Sequence, residues 1–264
     1  METHCQEYAE VIRQEMIAPD IFALRLKTKE IAKNAHCGQF VLVYCSDSSR
    51  LLGRPISICR LDREEGTLLL VYRIAGEGTR EISGLAAGDK VRIMGPLGNG
   101  FPTGRGAGKN VLLIAGGIGI PPMIQLAAEL KAEGAAADMK FVLGWRDGQT
   151  FLKEDALRYA DVVTATEDGS VGTRGNVLDA IRENDLKADV IYACGPTPML
   201  RALKEYAKEN GIECWLSLEE RMACGIGACL ACVCKSAKKD EHTKVNNKRI
   251  CKEGPVFSSE DVIL

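Results

Sequence analysis

The sequence changes its rhythm once, near residue 100, and this change limits the folds that the chain can adopt. From Tyr8 to Met94 it shows short β-type runs, such as "QFVLVYC" and "TLLLVYRI", separated by turn-forming pieces such as "DREEG". The stretch "GPLGNGFPTGRGAGKN" follows, with six glycines between Gly95 and Asn110. After it, apolar strands such as "VLLIAG" alternate with helical patterns such as "PMIQLAAELKAEG". These patterns predict a small antiparallel β-barrel or sandwich over residues 1–102, a parallel α/β domain over residues 103–212 and a small third domain over residues 213–264.

Charge and apolar patterning argue against several classes of protein. The chain has 34 basic and 36 acidic side chains, a formal net charge of -2, so it offers no electrostatic footprint for nucleic acid. Its longest apolar run, "NVLLIAGGIGIPPMIQLAAEL", is interrupted by three glycines and two prolines, which favours strand, turn and helix over a membrane span. The charged start "METHCQEYAEVIRQEM" lacks the apolar core of a signal peptide. We therefore expect a cytoplasmic protein that binds neither nucleic acid nor membrane, with its 11 cysteines as thiols or metal ligands.

Two turns in the α/β region are candidates for nucleotide binding. The first follows the strand "VLLIA" and opens a helix at two prolines, so glycine backbone can approach a pyrophosphate closely there. Because the fingerprint G-x-G-x-x-G is absent, this turn alone fits a plain strand-to-helix connection equally well. A second turn, "CGPTPML", ends a later strand, and two such turns at one sheet edge favour a nucleotide site of a Rossmann-like domain. The predicted nucleotide-binding residues are Gly116, Gly117, Gly119, Cys194, Gly195 and Pro196.

Cys194 itself has two interpretations. It is either an ordinary buried thiol or a side chain that contacts the nicotinamide ring at the strand end.

The segment "RMACGIGACLACVCKSAKKDEHTKVNNKRIC" holds five cysteines, one more than a four-ligand metal site needs. Four of them follow the spacing C-x4-C-x2-C…C of plant-type 2Fe-2S sites, and these predicted ligands are Cys224, Cys229, Cys232 and Cys251. A four-cysteine zinc site is the second interpretation, because such sites usually show two C-x2-C pairs and only one is present. Cys234 breaks the spacing and is predicted to be the spare thiol.

Two stretches of the barrel region add a third set of residues. "GRPISIC" places Arg54 just before a β-type run, and by itself this could be an ordinary surface arginine. "VYRIAGEGTREIS" then brings small residues whose backbone amides could meet an anionic phosphate. Together with "GGIG" and "CGP", these motifs resemble the ferredoxin reductase superfamily over roughly Tyr8 to Ile212.

The resemblance implies an FAD-binding barrel followed by a nicotinamide-nucleotide domain. In that arrangement Arg54 pairs with the FAD pyrophosphate, Tyr72 lies close to the isoalloxazine or ribityl chain, and the "GT" pair meets the phosphates. Many members carry a tyrosine where this chain has Ile56, so an aromatic stack on the flavin is missing or moved. The FAD-binding residues implied are Arg54, Pro55, Ile56, Ser57, Val71, Tyr72, Arg73, Gly78 and Thr79.

The cysteine run narrows the resemblance further. "LEERMACGIGACLACVC", with the other motifs before it, is similar to the family of electron-transfer subunits of bacterial NAD-dependent dihydroorotate dehydrogenase. The resemblance implies electron flow from dihydroorotate through FMN in a separate catalytic subunit, then through the 2Fe-2S cluster and FAD to NAD, in pyrimidine biosynthesis. It also implies a heterotetramer with two copies of each subunit, and no dihydroorotate oxidation by this chain alone.

Some points stay open at the level of sequence. The neighbouring residues Arg146 and Asp147 favour different nucleotides, because an arginine suits the 2′-phosphate of NADP and an acidic group suits the ribose hydroxyl of NAD. Only the resemblance favours NAD. The three histidines, His4, His36 and His242, are scattered and form no catalytic pattern. Two alternatives remain: the flavin and iron-sulfur subunit of a hydrogenase or ferredoxin-dependent transhydrogenase, and a redox-sensing or zinc-stabilised interaction module without flavin.

Overall fold

A computed structural model describes residues 4–134, 136–239 and 244–264. His242 therefore lies outside the described residues. The first region is a closed antiparallel barrel in the strand order β1-β2-β5-β4-β3-β6. Its elements are β1 (Cys5–Ala18), β2 (Ile21–Lys27), α1 (Ile31–Asn34), β3 (Phe40–Val43), β4 (Arg54–Asp62), β5 (Thr67–Arg73), α2 (Glu77–Ile82) and β6 (Lys90–Leu97).

A seven-stranded sheet follows the barrel, in the order β10-β9-β8-β7-β11-β12-β15. Six of its strands are parallel and come from the α/β repeats, while β15 pairs antiparallel with β12 at the edge. The elements of the repeats are β7 (Asn110–Gly116), α3 (Ile120–Glu133), β8 (Asp138–Trp145), α4 (Lys153–Leu157), β9 (Asp161–Thr166), β10 (Thr173–Arg174), α5 (Val177–Glu183), β11 (Val190–Cys194), α6 (Thr197–Asn210) and β12 (Glu213–Ser217).

The remaining strands are short. A three-stranded sheet in the order β14-β13-β16 follows the cysteine loop. The bounds are β13 (Val233–Ser236), β14 (Asn247–Arg249), β15 (Val256–Ser258) and β16 (Val262–Ile263).

The large sheet takes two strands, β12 and β15, from the region predicted to be the third domain. β12 follows β11 through α6 and pairs with it in parallel, and β15 returns from the cysteine loop to cover the edge of β12. The predicted boundary between residues 212 and 213 thus falls inside a continuous sheet. Strand pairing over about 40 residues of sequence is non-local, so the apolar run "PVF" gave no sign of it.

The central strands and helices follow their sequence signals. β7 is buried over its whole apolar run, as expected for a parallel strand covered on both faces. α3 begins with Pro121 and Pro122 in its first turn and ends at Gly134, whose φ of 58° is the left-handed conformation that suits glycine. Among the described residues no helix is both long and apolar enough to span a membrane.

Polar contacts lock the barrel to α3. Gln125 Oε1 accepts the backbone N–H of Leu61 at 2.8 Å, and Glu129 accepts from Arg63 Nη2 at 2.9 Å and from the Cys37 backbone at 3.2 Å. Burial raises the pKa of Glu129, but hydrogen bonds from Cys37, Gln125 and Arg63 outweigh it and leave the pKa below its usual value. The barrel and the sheet are therefore held in a fixed relation on this side.

Candidate cofactor sites

The two predicted nucleotide turns lie against each other at the carboxyl edge of the sheet. β7 and β11 are neighbours, with Ala115 paired to Cys194. A Cβ on Gly119 would fall 2.4 Å from the carbonyl oxygen of Cys194 and 2.7 Å from the nitrogen of Gly195. Only glycine fits at position 119, because any side chain there would push the two turns apart. The structure thus brings together the six residues predicted for NAD binding.

The thiol of Cys194 is enclosed at this edge, with 1 % of the residue exposed. Burial raises its pKa well above the usual value, the charge of Glu219 acts in the same direction, and a hydrogen bond with Ser217 opposes both. The side chain is therefore a neutral, buried thiol at the ligand edge. Contact with a nicotinamide ring stays a prediction.

The predicted flavin residues of β4 alternate between the two faces of the barrel wall. Ile56 is buried in the barrel interior with Ile58 and Leu70, whereas Pro55 and Ser57 point outward. This alternation explains why position 56 does not present an aromatic ring to the outside in this chain. Pro55 and Ser57 are thus the predicted flavin residues of this strand whose side chains lie outside the barrel.

Arg54 folds back onto the start of α2. Its Nη1 atom donates to the carbonyl oxygen of Leu52 at 2.5 Å, and its guanidinium covers Gly78, where a Cβ would fall 1.9 Å from Nε. The Thr79 hydroxyl accepts the backbone N–H of Ala75 at 2.8 Å and closes the first helical turn. A guanidinium beside the start of a helix is suited to bind a phosphate group. A larger residue at position 78 would displace this guanidinium.

Tyr72 lies on the interior side of β5. Its hydroxyl donates to Gln14 Oε1 at 3.0 Å, its ring stacks on Phe22 at 6.1 Å between centroids, and burial raises its pKa. The ring therefore packs in the barrel core, and its closeness to the flavin stays a prediction. The neighbouring residues Val71 and Arg73 have their side chains on the other face of the strand.

Four cysteine sulfurs gather in the loop before β13 and after β14, and they come in two pairs. Cys224 Sγ accepts the amides of Ala228 at 3.3 Å and Cys229 at 3.4 Å, and it also forms a hydrogen bond with the Cys229 thiol. Cys232 Sγ accepts the amide of Cys251 at 3.4 Å. The amide of Gly227 points at Cys251 Sγ at 3.1 Å.

The amides around Cys224 favour a thiolate. Partial burial raises the pKa of this thiol, but hydrogen bonds from the amides of Ile226, Cys229 and Ala228 and from the Cys229 thiol lower it to about 6. Gly225 and Gly227 adopt φ values of 71° and 82°, which side chains rarely tolerate, and so allow the loop to aim its amides inward. This donor set fits negatively charged sulfur.

Amide donors aimed at these sulfurs fit a 2Fe-2S cluster, whose two irons take two thiolates each. Cys234 lies apart on β13, opposite Lys248 of β14, and burial raises its pKa. The ligand set and the spare thiol remain predictions that this geometry favours.

Glu219 and Ser217 lie at the nucleotide edge but belong to none of the predicted binding motifs. Ser217 ends β12 and pairs with Cys194, and Glu219 follows two residues later at the same sheet edge. Glu219 is open to solvent, yet the surrounding protein raises the pKa of its carboxyl, against the opposing charge of Arg73. Its only sequence signal was its place directly after an apolar strand.

A cavity of about 380 Å³ lies elsewhere, at the outer edge of the sheet between β9, β10 and the end of α5. Its lining, which includes Lys153, Thr164 and Glu183, contains none of the predicted site residues. The residues predicted for NAD binding lie instead at the carboxyl edge of the sheet, after β7 and β11.

Three family models match the chain and divide it in the same order as the motifs. An oxidoreductase FAD-binding domain matches residues 8–101, an oxidoreductase NAD-binding domain matches residues 113–205, and the iron-sulfur cluster binding domain of dihydroorotate dehydrogenase B matches residues 219–263. These matches confirm the predicted cofactors, FAD, NAD and a 2Fe-2S cluster. They argue against the alternative of an interaction module without flavin.

Curated relatives match over nearly the full length. The electron transfer subunit of dihydroorotate dehydrogenase B (NAD(+)) from Listeria monocytogenes serotype 4a is 44% identical over 261 residues, covering 98% of this chain and 99% of the relative. The subunit of the same name from Geobacillus thermodenitrificans is 39% identical over 262 residues, again covering 98% and 99%.

Solved structures confirm the predicted fold class. The structure of an NADH-dependent reduced ferredoxin-NADP oxidoreductase superposes with a TM-score of 0.85 at 29% identity, covering 97% of this chain and 90% of that chain. A flavohemoglobin from Malassezia yamatoensis, at 18% identity and a TM-score of 0.64, covers 78% of this chain and 57% of that one and shares the fold alone. From its motifs, its paired sulfurs and these full-length relatives, the chain belongs to the family of electron-transfer subunits of NAD-dependent dihydroorotate dehydrogenase B.

Proposed function

We propose that this chain carries electrons between a catalytic partner subunit and NAD through a 2Fe-2S cluster and FAD that it holds itself. The packing of the cysteine loop on the flavin barrel supports this most directly. A Cβ on Gly225 would fall 2.7 Å from Leu42 Cδ1, and a Cβ on Gly53, next to Arg54, would fall 3.3 Å from the same atom. The loop between Cys224 and Cys229 and the start of the flavin motif thus both pack against Leu42.

The three groups have complementary chemistry when bound, because nicotinamide exchanges two electrons as a hydride, the cluster exchanges one, and flavin does both. The work of the chain is positioning. Arg54 offers its guanidinium to FAD phosphate beside the start of α2, and the amides of Gly227 and Ala228 stabilise negative charge on the sulfurs.

The residues proposed for each group follow from these placements. FAD is held by Arg54, Pro55, Ser57, Val71, Gly78 and Thr79, with Ile56, Tyr72 and Arg73 acting through the backbone. NAD is held at the paired turns by Gly116, Gly117, Gly119, Cys194, Gly195 and Pro196. The cluster is held by Cys224, Cys229, Cys232 and Cys251.

The partner is proposed to be the catalytic subunit that contains FMN and oxidises dihydroorotate, with two copies of each subunit in the complex. The name shared by the relatives, electron transfer subunit, supports the existence of such a partner. We also propose that the complex works in the cytoplasm, in pyrimidine biosynthesis. None of the 11 cysteines, all of which lie in the described ranges, forms a disulfide, which is typical of a reducing compartment.

The test is to purify the chain together with a dihydroorotate-oxidising catalytic subunit and to follow NAD reduction. We expect dihydroorotate to drive NADH formation only when both subunits are present, and Cys229→Ser to abolish it without preventing the complex. NAD reduction by the catalytic subunit alone, or a purified chain without flavin absorption, would contradict the proposal.

A further inference from the structure

Arg73 stands where the barrel, the nucleotide domain and the start of the cysteine segment meet. It ends β5 with its side chain exposed, and its Nη2 atom lies 3.7 Å from the position that a Cβ would take on Gly117. Gly117, with φ at 54°, is the first residue of the turn that leads into α3. A cation from the barrel therefore faces the glycine turn of the nucleotide domain.

The guanidinium has no close partner at this place. It makes no hydrogen bond or ion pair within the described part of the chain. The surrounding protein raises the pKa of Glu219, which follows β12, and the positive charge of Arg73 opposes this rise. Arg73 lies beside a glycine turn and the start of α3, a helix of 14 residues. An unpaired arginine in this position is suited to bind an anion, because a guanidinium can bind phosphate through two parallel hydrogen bonds.

We propose that the Arg73 side chain binds the diphosphate of the nicotinamide dinucleotide, and that Glu219 is its counter-charge when the dinucleotide is absent. This assignment rests on the proposed function, because it presupposes NAD at the paired turns. Residue 73 then has two roles. Its backbone at the end of β5 remains available to the flavin, and its side chain binds the dinucleotide.

The dinucleotide is then bound by two domains at once, by the amides of the turn at Gly117 and by an arginine from the barrel. Glu219 follows two residues after Ser217, which pairs with Cys194, so its negative charge opposes a second anion at this edge. Removing that charge should therefore favour the dinucleotide, and removing the charge of Arg73 should oppose it.

Equilibrium binding of NAD⁺ to the oxidised holoprotein, measured by calorimetry, tests the proposal without turnover. We expect Arg73→Gln to raise the Kd for NAD⁺ by roughly ten- to a hundredfold, the loss of one or two charge-assisted hydrogen bonds. FAD and iron content should equal those of the wild type. Arg73→Lys should lie between the two, because lysine keeps the charge but loses the bidentate geometry.

Two further variants sharpen the result. Glu219→Gln should lower the Kd by a few-fold in the wild type and by less in the Arg73→Gln background, because its charge acts partly through Arg73. Arg25→Gln is the matched control, since Arg25 is also an exposed barrel-strand arginine, on β2. It should leave the Kd unchanged, and the salt dependence of NAD⁺ binding should be weaker only in Arg73→Gln.

The proposal is overturned if Arg73→Gln binds NAD⁺ as tightly as Arg25→Gln does. It is equally overturned if Arg73→Gln loses FAD while the remaining holoprotein keeps its affinity for NAD⁺, because the side chain would then belong to the flavin. A wild-type chain that holds FAD and binds NAD⁺ keeps the proposed function in place in either case. A wild-type chain without FAD would instead refute that function.

Discussion

At the scale of single residues, glycines decide where charged groups and sulfurs can lie. Gly78 leaves room for the Arg54 guanidinium, and Gly225 and Gly227 give the cysteine loop the left-handed turns it needs. The sequence could predict that these glycines mattered, since the motifs placed them next to candidate ligands. It could not predict that Tyr72 points into the barrel, because which face of a strand lies inside depends on how that strand pairs with its neighbours in the barrel.

Gly78→Ala tests the room for Arg54. A methyl group would fall 1.9 Å from Arg54 Nε and displace the guanidinium, so we expect the variant to purify with much less FAD at nearly unchanged thermal stability. The measurement is the ratio of flavin to protein absorbance. Gly76→Ala is the control, because nothing lies within 4 Å of a Cβ there. Equal FAD content in the two variants would contradict the role given to Arg54.

The cysteine assignment has its own pair of variants. Cys229→Ser should lose the cluster, because it removes one sulfur of the pair formed with Cys224, whereas Cys234→Ser should keep it. Iron and acid-labile sulfide per chain, measured after anaerobic purification, distinguish the two. Retention of iron in both variants, or loss in both, would refute the ligand set.

At the scale of elements, the sequence predicted most of what is local. The run that forms β7, the prolines that open α3 and the glycine that ends it are all encoded within a few residues. The pairing of β15 with β12 and the contact of α3 with the barrel were not predictable in this way. Both join segments far apart in sequence, and Gln125 and Glu129 look like ordinary helix residues until Leu61 and Arg63 lie beside them.

Glu129→Gln tests the contact between α3 and the barrel. Hydrogen bonds hold the folded-state pKa of Glu129 below 4.5, so its ionised form adds stability that is complete above that pH and is lost as the pH falls through the folded pKa. We expect a loss of about 1–3 kcal/mol at pH 7 that shrinks at pH values below 4.5. Thermal unfolding of the variant and the wild type, at pH 7 and at a pH below 4.5, measures this difference in stability.

The control for that variant is Glu209→Gln, since Glu209 is an exposed residue of α6. It should change the midpoint of unfolding little at either pH. A midpoint for Glu129→Gln equal to that of this control at pH 7 would show that the contact does not stabilise the two domains against each other.

At the scale of the whole molecule, three separate sequence motifs become neighbours. Leu42 of the barrel touches both the stretch before Arg54 and the cysteine loop, and Arg73 reaches the glycine turn of the sheet. The motifs predicted which cofactors the chain holds, and the family matches confirm them. Their order in space could not be derived from the sequence, because it depends on the barrel packing against both the sheet and the loop.

We propose above all that electrons pass between NAD and the cluster through the flavin within this one chain. An anaerobic titration of the purified protein with NADH tests this, followed by visible absorption for the flavin and by electron paramagnetic resonance for the cluster. We expect NADH to bleach the flavin bands and to produce the signal of a reduced 2Fe-2S cluster, and Cys229→Ser to show the bleaching alone. A cluster that dithionite reduces but NADH, in excess and with the flavin fully bleached, does not would contradict this electron path.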